Sequence, residues 1–329
     1  MKQLIFLLSL LFCLESFVKV DEINSSVIQS DFNTIVSKKE SKPITKNSYP
    51  IWLDKSNLII AKFKINGSVT ANAFIETGFQ NPTFDKSFVL KNKAKLKLKL
   101  IATHKISCNY LMSNTQNFAI YQIKSNLKIN DQNFSKGILV YDLRKTGYMN
   151  ADLAIPLIAM GDIIELNIAK GYVRKLDRTE LESYSKGFSA FEMEGGRYEL
   201  FSLQSKLQIY DSLGRKEELT TKLILDTGCG NEFVLSTNYP LIRDFLKKSD
   251  RMLLKDSSRI VNSGYKELHV LMPTKVLFNQ FELKNAPIIA VKTFVNSGNA
   301  TGFIGVNFFK QFDIIFDYEK KIVYLKHND

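Results

Sequence analysis

Apolar positions along the chain change character several times. Residues 4–14 form a nearly unbroken apolar run behind Lys2, and polar sequence begins by Asp21. That layout predicts a secretory signal peptide over residues 1–20, because the run is too short to span a bilayer as a helix. Residues 21–50 are rich in Ser, Lys and Asn and show no sustained period, which predicts a mobile leader. Beyond them, short β-branched and aromatic runs alternate with Asn, Gly, Ser and Lys, as at 118–123, 137–141, 268–272 and 287–291. Short strands joined by polar turns follow from that pattern, and with them an all-β body. From Lys95 to Leu100 lysine and leucine alternate strictly, which predicts a strand with one lysine-covered face. Residues 180–197, richer in Glu, Ser and Gly, are expected to connect two lobes, 51–179 and 198–329.

The chain also repeats itself. Ala73-Phe74-Ile75-Glu76-Thr77-Gly78 matches Leu223-Ile224-Leu225-Asp226-Thr227-Gly228, with Glu76 and Asp226 standing 150 positions apart. Asp162-Ile163-Ile164 and Asp313-Ile314-Ile315 form a second pair 151 apart. Two halves that share a start and a finish predict two copies of one β-rich unit. In each copy an apolar strand runs into acid-Thr-Gly. The strand delivers a carboxylate to a tight turn, the threonine hydroxyl can tie the loop to a partner across an interface, and the glycine lets the backbone turn closely.

Composition narrows the chemistry. Hydrophobic residues make up 45% of the chain, enough for globular cores. The formal charge of +12 is dispersed and comes with no basic helix or base-stacking motif, so nucleic acid is not an expected partner. No later stretch reaches the length of a membrane helix, so no integral membrane segment is expected. His104, His269 and His327 are isolated, and neither a metal nor another cofactor is expected. There is no Gly-x-Ser-x-Gly elbow and no phosphate loop. Cys13 belongs to the leading apolar run, where Phe12 is a poor fit to a lipid-attachment site; Cys108 and Cys229 leave one bridge open.

The two motif-bearing halves resemble the pepsin and retropepsin clan of aspartic peptidases, as a tandem of two retropepsin-like units. The second half carries the resemblance best, through residues 223–231, through Gly302-Phe303-Ile304-Gly305 and through the closing strand at 312–318. The resemblance implies an all-β, bilobal acid-protease fold, two barrel-like lobes with a cleft between them. It also implies an exported aspartic endopeptidase, periplasmic or extracellular, working as a monomer whose lobes pair within one chain on an extended peptide or protein substrate. Asp226 and Glu76 would be the catalytic carboxylates, with Thr227, Gly228, Thr77 and Gly78 supporting their loops. A β-hairpin flap would fall within 105–123, with Tyr110 as its aromatic. The first half departs from the pattern at Glu76, where the family has aspartate, and at Ala154, which is expected to occupy the position of a strand glycine. One added methylene moves the carboxyl by more than about 1 Å unless the backbone retreats, so a large loss of rate is the expectation. A catalytically impaired, peptide-binding pseudoprotease is the alternative reading, and pairing of two chains through Asp226 is a third.

Overall fold

The computed structural model describes residues 48–328 apart from 56, 79–80, 99, 111–113, 124–126, 131, 135–137, 144–150, 197–198, 255–267, 285 and 293–298. The expected signal peptide, Cys13 and most of the leader lie outside them. The first lobe comprises β1 (Ser48–Leu53), β2 (Ile59–Ile65), β3 (Val69–Glu76), β4 (Thr83–Asp85), α1 (Lys86–Leu96), β5 (Leu100–Tyr110), β6 (Asn114–Ile123), β7 (Leu127–Ile129), β8 (Gln132–Phe134), β9 (Leu139–Tyr141), β10 (Leu153–Pro156), β11 (Ile163–Asn167), β12 (Tyr172–Lys175) and α2 (Arg178–Tyr184). The second comprises β13 (Ser189–Gly196), β14 (Glu199–Tyr210), β15 (Lys216–Leu225), β16 (Phe233–Ser236), α3 (Pro240–Lys248), β17 (Leu268–Leu271), β18 (Lys275–Phe278), β19 (Phe281–Lys284), β20 (Ile288–Val291), β21 (Ala300–Ile304), α4 (Val306–Phe309), β22 (Phe312–Asp317) and β23 (Ile322–His327).

Each lobe repeats the same pairings. β3 runs antiparallel to β2 and parallel to β10, which also pairs with β4; β15 stands in the same relation to β14, β21 and β16. Their centres read as continuous apolar strands because both faces are covered: Ala73, Phe74 and Ile75 are fully buried, as are Leu223 and Ile224. The body is all-β and bilobal, as expected.

A third sheet joins the lobes in the order β1, β12, β11, β22, β23, β13, all antiparallel. Its centre pairs the closing strand of one half with that of the other, Ile163 opposite Asp317 and Leu166 opposite Ile314. Glu165 is buried there and satisfied by hydroxyl donation from Tyr172 (2.6 Å) and Tyr184 (2.9 Å) and by the Arg174 guanidinium. One apolar core runs through both lobes, from Ile59 and Phe63 to Phe312 and Leu325.

Three expectations change. The lysine-leucine stretch is helical through Leu96, where α1 ends, with Lys97 left-handed at its C-cap. Asp85 caps the helix by accepting the Ser87 and Phe88 amides, and Lys, Leu and Ala past Val89 are good helix formers, so local capping and propensity override the period-two pattern. Residues 180–197 are not a bare connection. They contain most of α2, started by a reciprocal Asp177–Glu180 cap, and then β13, an edge strand of the shared sheet. β1, finally, begins at Ser48, inside the stretch expected to be leader, and occupies the opposite edge.

Candidate active site

β3 and β15 carry the two acids to one place. Glu76 is the last residue of β3 and Asp226 follows β15; both are almost wholly buried, at 2% and 4% exposure. Their loops grip each other reciprocally. The Thr77 amide donates to Thr227 Oγ1 at 2.9 Å, and the Thr227 amide donates to Thr77 Oγ1 at 2.9 Å. The hydroxyls then donate across the interface, Thr77 to the Leu225 carbonyl at 2.6 Å and Thr227 to the Ile75 carbonyl at 3.2 Å. Four bonds between main chain and hydroxyl thus fix the two turns about a local two-fold axis. Both threonines tie one turn to the other.

The turn amides hold the carboxylates. Gly78 donates to Glu76 Oε1 at 2.7 Å and Gly228 to Asp226 Oδ1 at 2.8 Å. The two buried carboxyl groups lie near enough to bear on each other electrostatically, and the Cys229 amide donates to the Asp226 main-chain carbonyl at 3.1 Å. Burial pushes the Glu76 carboxyl well above the ordinary glutamate range, and the charge and hydrogen bond of Asp226 push it further. Asp226 is also raised by burial, but accepting the bond from Glu76 and the two amides opposes the rise. Two buried acids this close titrate as a pair, and both are raised, Glu76 the more strongly.

Cys229, behind Asp226, is a free and buried thiol, and burial raises it. β5 and β6 pair as a long hairpin in the region expected for the flap, with Tyr110 opposite Asn114 in its register; its tip and the Tyr110 side chain lie outside the described residues. Among the described residues, no grouping of His, Cys, Asp or Glu could hold a metal ion, and no helix is long and apolar enough to cross a membrane.

The position of the strand glycine also needs correction. Asp226 donates its amide to Ile304, which puts Gly305 beside Asp226, whereas Pro156 is the residue paired with Glu76. Pro156, not Ala154, is therefore the counterpart of Gly305, two residues further along the apolar run. Sequence reading also passed over a cluster behind the second loop. Lys310 Nζ donates to Asn307 Oδ1 (2.9 Å) and, across the lobes, to Asn57 Oδ1 (3.0 Å). Burial raises the nearby Glu232 carboxyl, with Lys310 and Asn307 opposing the rise. Nothing in the spacing of these residues announces that meeting.

No family model matches the sequence, and no curated protein matches it. Among solved structures, the chain is similar to an aspartic proteinase from Irpex lacteus, with a TM-score of 0.52 and 11% identity over 86% of this chain and 97% of that one. At that identity the likeness is one of fold. The chain has the bilobal architecture of an aspartic proteinase, with an acid from each lobe at its centre.

Proposed function

We propose that the protein is an aspartic endopeptidase that hydrolyses an extended peptide held between its lobes. The observation that carries this reading is the meeting of two buried acids, Glu76 and Asp226, one from each lobe, inside a reciprocal threonine grip. In the reaction, Asp226 takes a proton from a water while Glu76 donates its hydrogen bond to the scissile carbonyl oxygen. The water oxygen bonds to the carbonyl carbon, and collapse of the tetrahedral species breaks the C–N bond as the leaving nitrogen receives a proton from the pair. An extended peptide suits such a cleft because its main chain can hydrogen-bond along the site while side chains alternate into flanking pockets. Export of the mature chain and its action as a monomer with intramolecular lobe pairing belong to the same reading.

Cleavage of a quenched-fluorescent peptide library between pH 3 and 8 tests it, using wild type, Asp226→Asn and Glu76→Gln. Wild type should cleave, and each variant should lose on the order of 10³-fold in rate. Peptide binding by wild type without cleavage at any pH would replace this reading with that of a peptide-binding module.

A further inference from the structure

The threonine grip holds the second acid's turn at Thr227, and a turn held at one place can still pivot about it. A second hold comes from the start of α4. The Val306 amide donates to the Cys229 carbonyl at 2.6 Å, and the Gly305 amide donates to the Glu232 carbonyl at 3.0 Å. The middle and the far end of the loop after Asp226 are thus both fastened to one short helix. Within the loop, the Cys229 amide closes the turn on the Asp226 carbonyl at 3.1 Å.

That helix is itself tied to the opposite lobe. Lys310, which follows it, donates its amide to the Val306 carbonyl at 2.9 Å and its ammonium to Asn307 Oδ1 at 2.9 Å. The same ammonium reaches Asn57 Oδ1 of the first lobe at 3.0 Å. Hydrogen bonds therefore lead from Asn57 through Lys310, Val306 and Cys229 to the turn of Asp226.

Both ends of the tie are anchored. Asn57 stands between β1 and β2 with a left-handed φ of 60°, a conformation asparagine accepts, and its amide donates to the Asp54 carbonyl at 3.1 Å. The side-chain amide of Asn328 donates to the Lys310 carbonyl at 3.0 Å and fixes the lysine backbone. Burial lowers the Lys310 ammonium, and the charge of nearby Glu232 opposes that. A cation drawn partly out of water is costly unless its donors are met, so its bonds to two amide oxygens hold harder than a surface contact would.

We propose that Lys310 is a positioning residue of this site: it braces the Asp226 loop against the first lobe and, with the threonine grip, stops the second acid from pivoting relative to the first. This rests on the reading of Glu76 and Asp226 as a working dyad.

Two readouts on the full chain test it. Asn57→Gly removes the acceptor while keeping the left-handed turn unstrained, and Asn57→Asp keeps an acceptor in place. In peptide kinetics, Asn57→Gly and Lys310→Met should each lower kcat about tenfold with KM changed less than about threefold, because a misplaced acid is felt in turnover. Asn57→Asp should stay within about threefold of wild type. The double variant Lys310→Met/Asn57→Gly should fall no more than about twofold below Lys310→Met, since both remove one contact. The second readout needs no turnover. Cys229 is buried on the braced loop, so in a Cys108→Ser background its labelling by a thiol reagent under native conditions, located by peptide mass mapping, counts openings of that loop. Asn57→Gly should speed labelling about tenfold, the factor for one lost hydrogen bond to a charged group, and Asn57→Asp should not. An Asn57→Gly protein with wild-type kcat, or losses that multiply in the double variant, would overturn the positioning role whatever the labelling. Should wild type cleave no peptide, faster labelling in Asn57→Gly and its reversal in Asn57→Asp would uphold the brace while the peptidase reading failed. Unchanged labelling in Asn57→Gly would overturn the brace as well.

Discussion

Gly305→Ala is the sharpest single perturbation this structure offers. The new Cβ would meet the carbonyl oxygens of Cys229 and Asn231 at 2.3 Å and the Cys229 carbonyl carbon at 3.0 Å, all main-chain atoms that cannot rotate away. Either β21 or the loop after Asp226 must shift by about 1 Å, since close-packed interiors have no slack of that size. Overpacking by one methyl of this kind costs about 1–3 kcal/mol of stability. Its effect on turnover should be larger in relative terms, about 10²-fold in kcat, because the displaced loop carries the Cys229 amide that donates to the Asp226 main-chain carbonyl and so holds the turn of the acid. Gly196→Ala is the control: a Cβ there meets nothing within 4 Å. Urea unfolding followed by tryptophan fluorescence, paired with peptide kinetics, measures both quantities. A Gly305→Ala protein as stable and as active as Gly196→Ala would refute the claim that close approach at this glycine holds the second loop in place.

Other outcomes follow from the same geometry. Glu76 is raised in the folded state, so its contribution to stability is complete below its ordinary value of 4.5 and is lost as pH rises through the higher folded value. Wild type should therefore lose unfolding free energy as pH climbs from 4.5 toward that value, and Glu76→Gln should flatten the decline in a pH series of urea titrations. Thr227→Val strands the Thr77 amide and the Ile75 carbonyl and should destabilise by about 1–3 kcal/mol in thermal unfolding. Arg174→Met leaves Glu165 buried without its cation and should cost about 3–5 kcal/mol, a loss that adding Glu165→Gln should partly relieve.

Much of this architecture was legible because it is doubled. The acid-Thr-Gly turns and the Asp-Ile-Ile strands identified two equivalent units and named both acids, since a repeat supplies its own control for a short motif. Local competition hid other features. The lysine-leucine alternation concealed a helix whose start is fixed by the Asp85 side chain, and a Glu-rich connector concealed an edge strand whose partner, β23, lies well over a hundred residues away. The equivalence of Pro156 and Gly305 needed the pairing registers, because a glycine is the obvious match for a small alanine but hydrogen bonding selects the residue beside the acid. The contact of Lys310 with Asn57 depends on how the lobes are docked, which no local pattern encodes.

The shared six-stranded sheet has a consequence for either half taken alone. Separating the halves would strip β11 of β22 and leave each with a full-length apolar strand whose amides and carbonyls face water. β1 and β13 would not cover these edges, because they sit at the outer ends of the same sheet. A half expressed by itself would therefore carry an adhesive border, and a second copy of the same half is the nearest shape able to seal it. The covalent tandem acts here as a chaperone in sequence: the border is met by its complement before it can recruit a stranger.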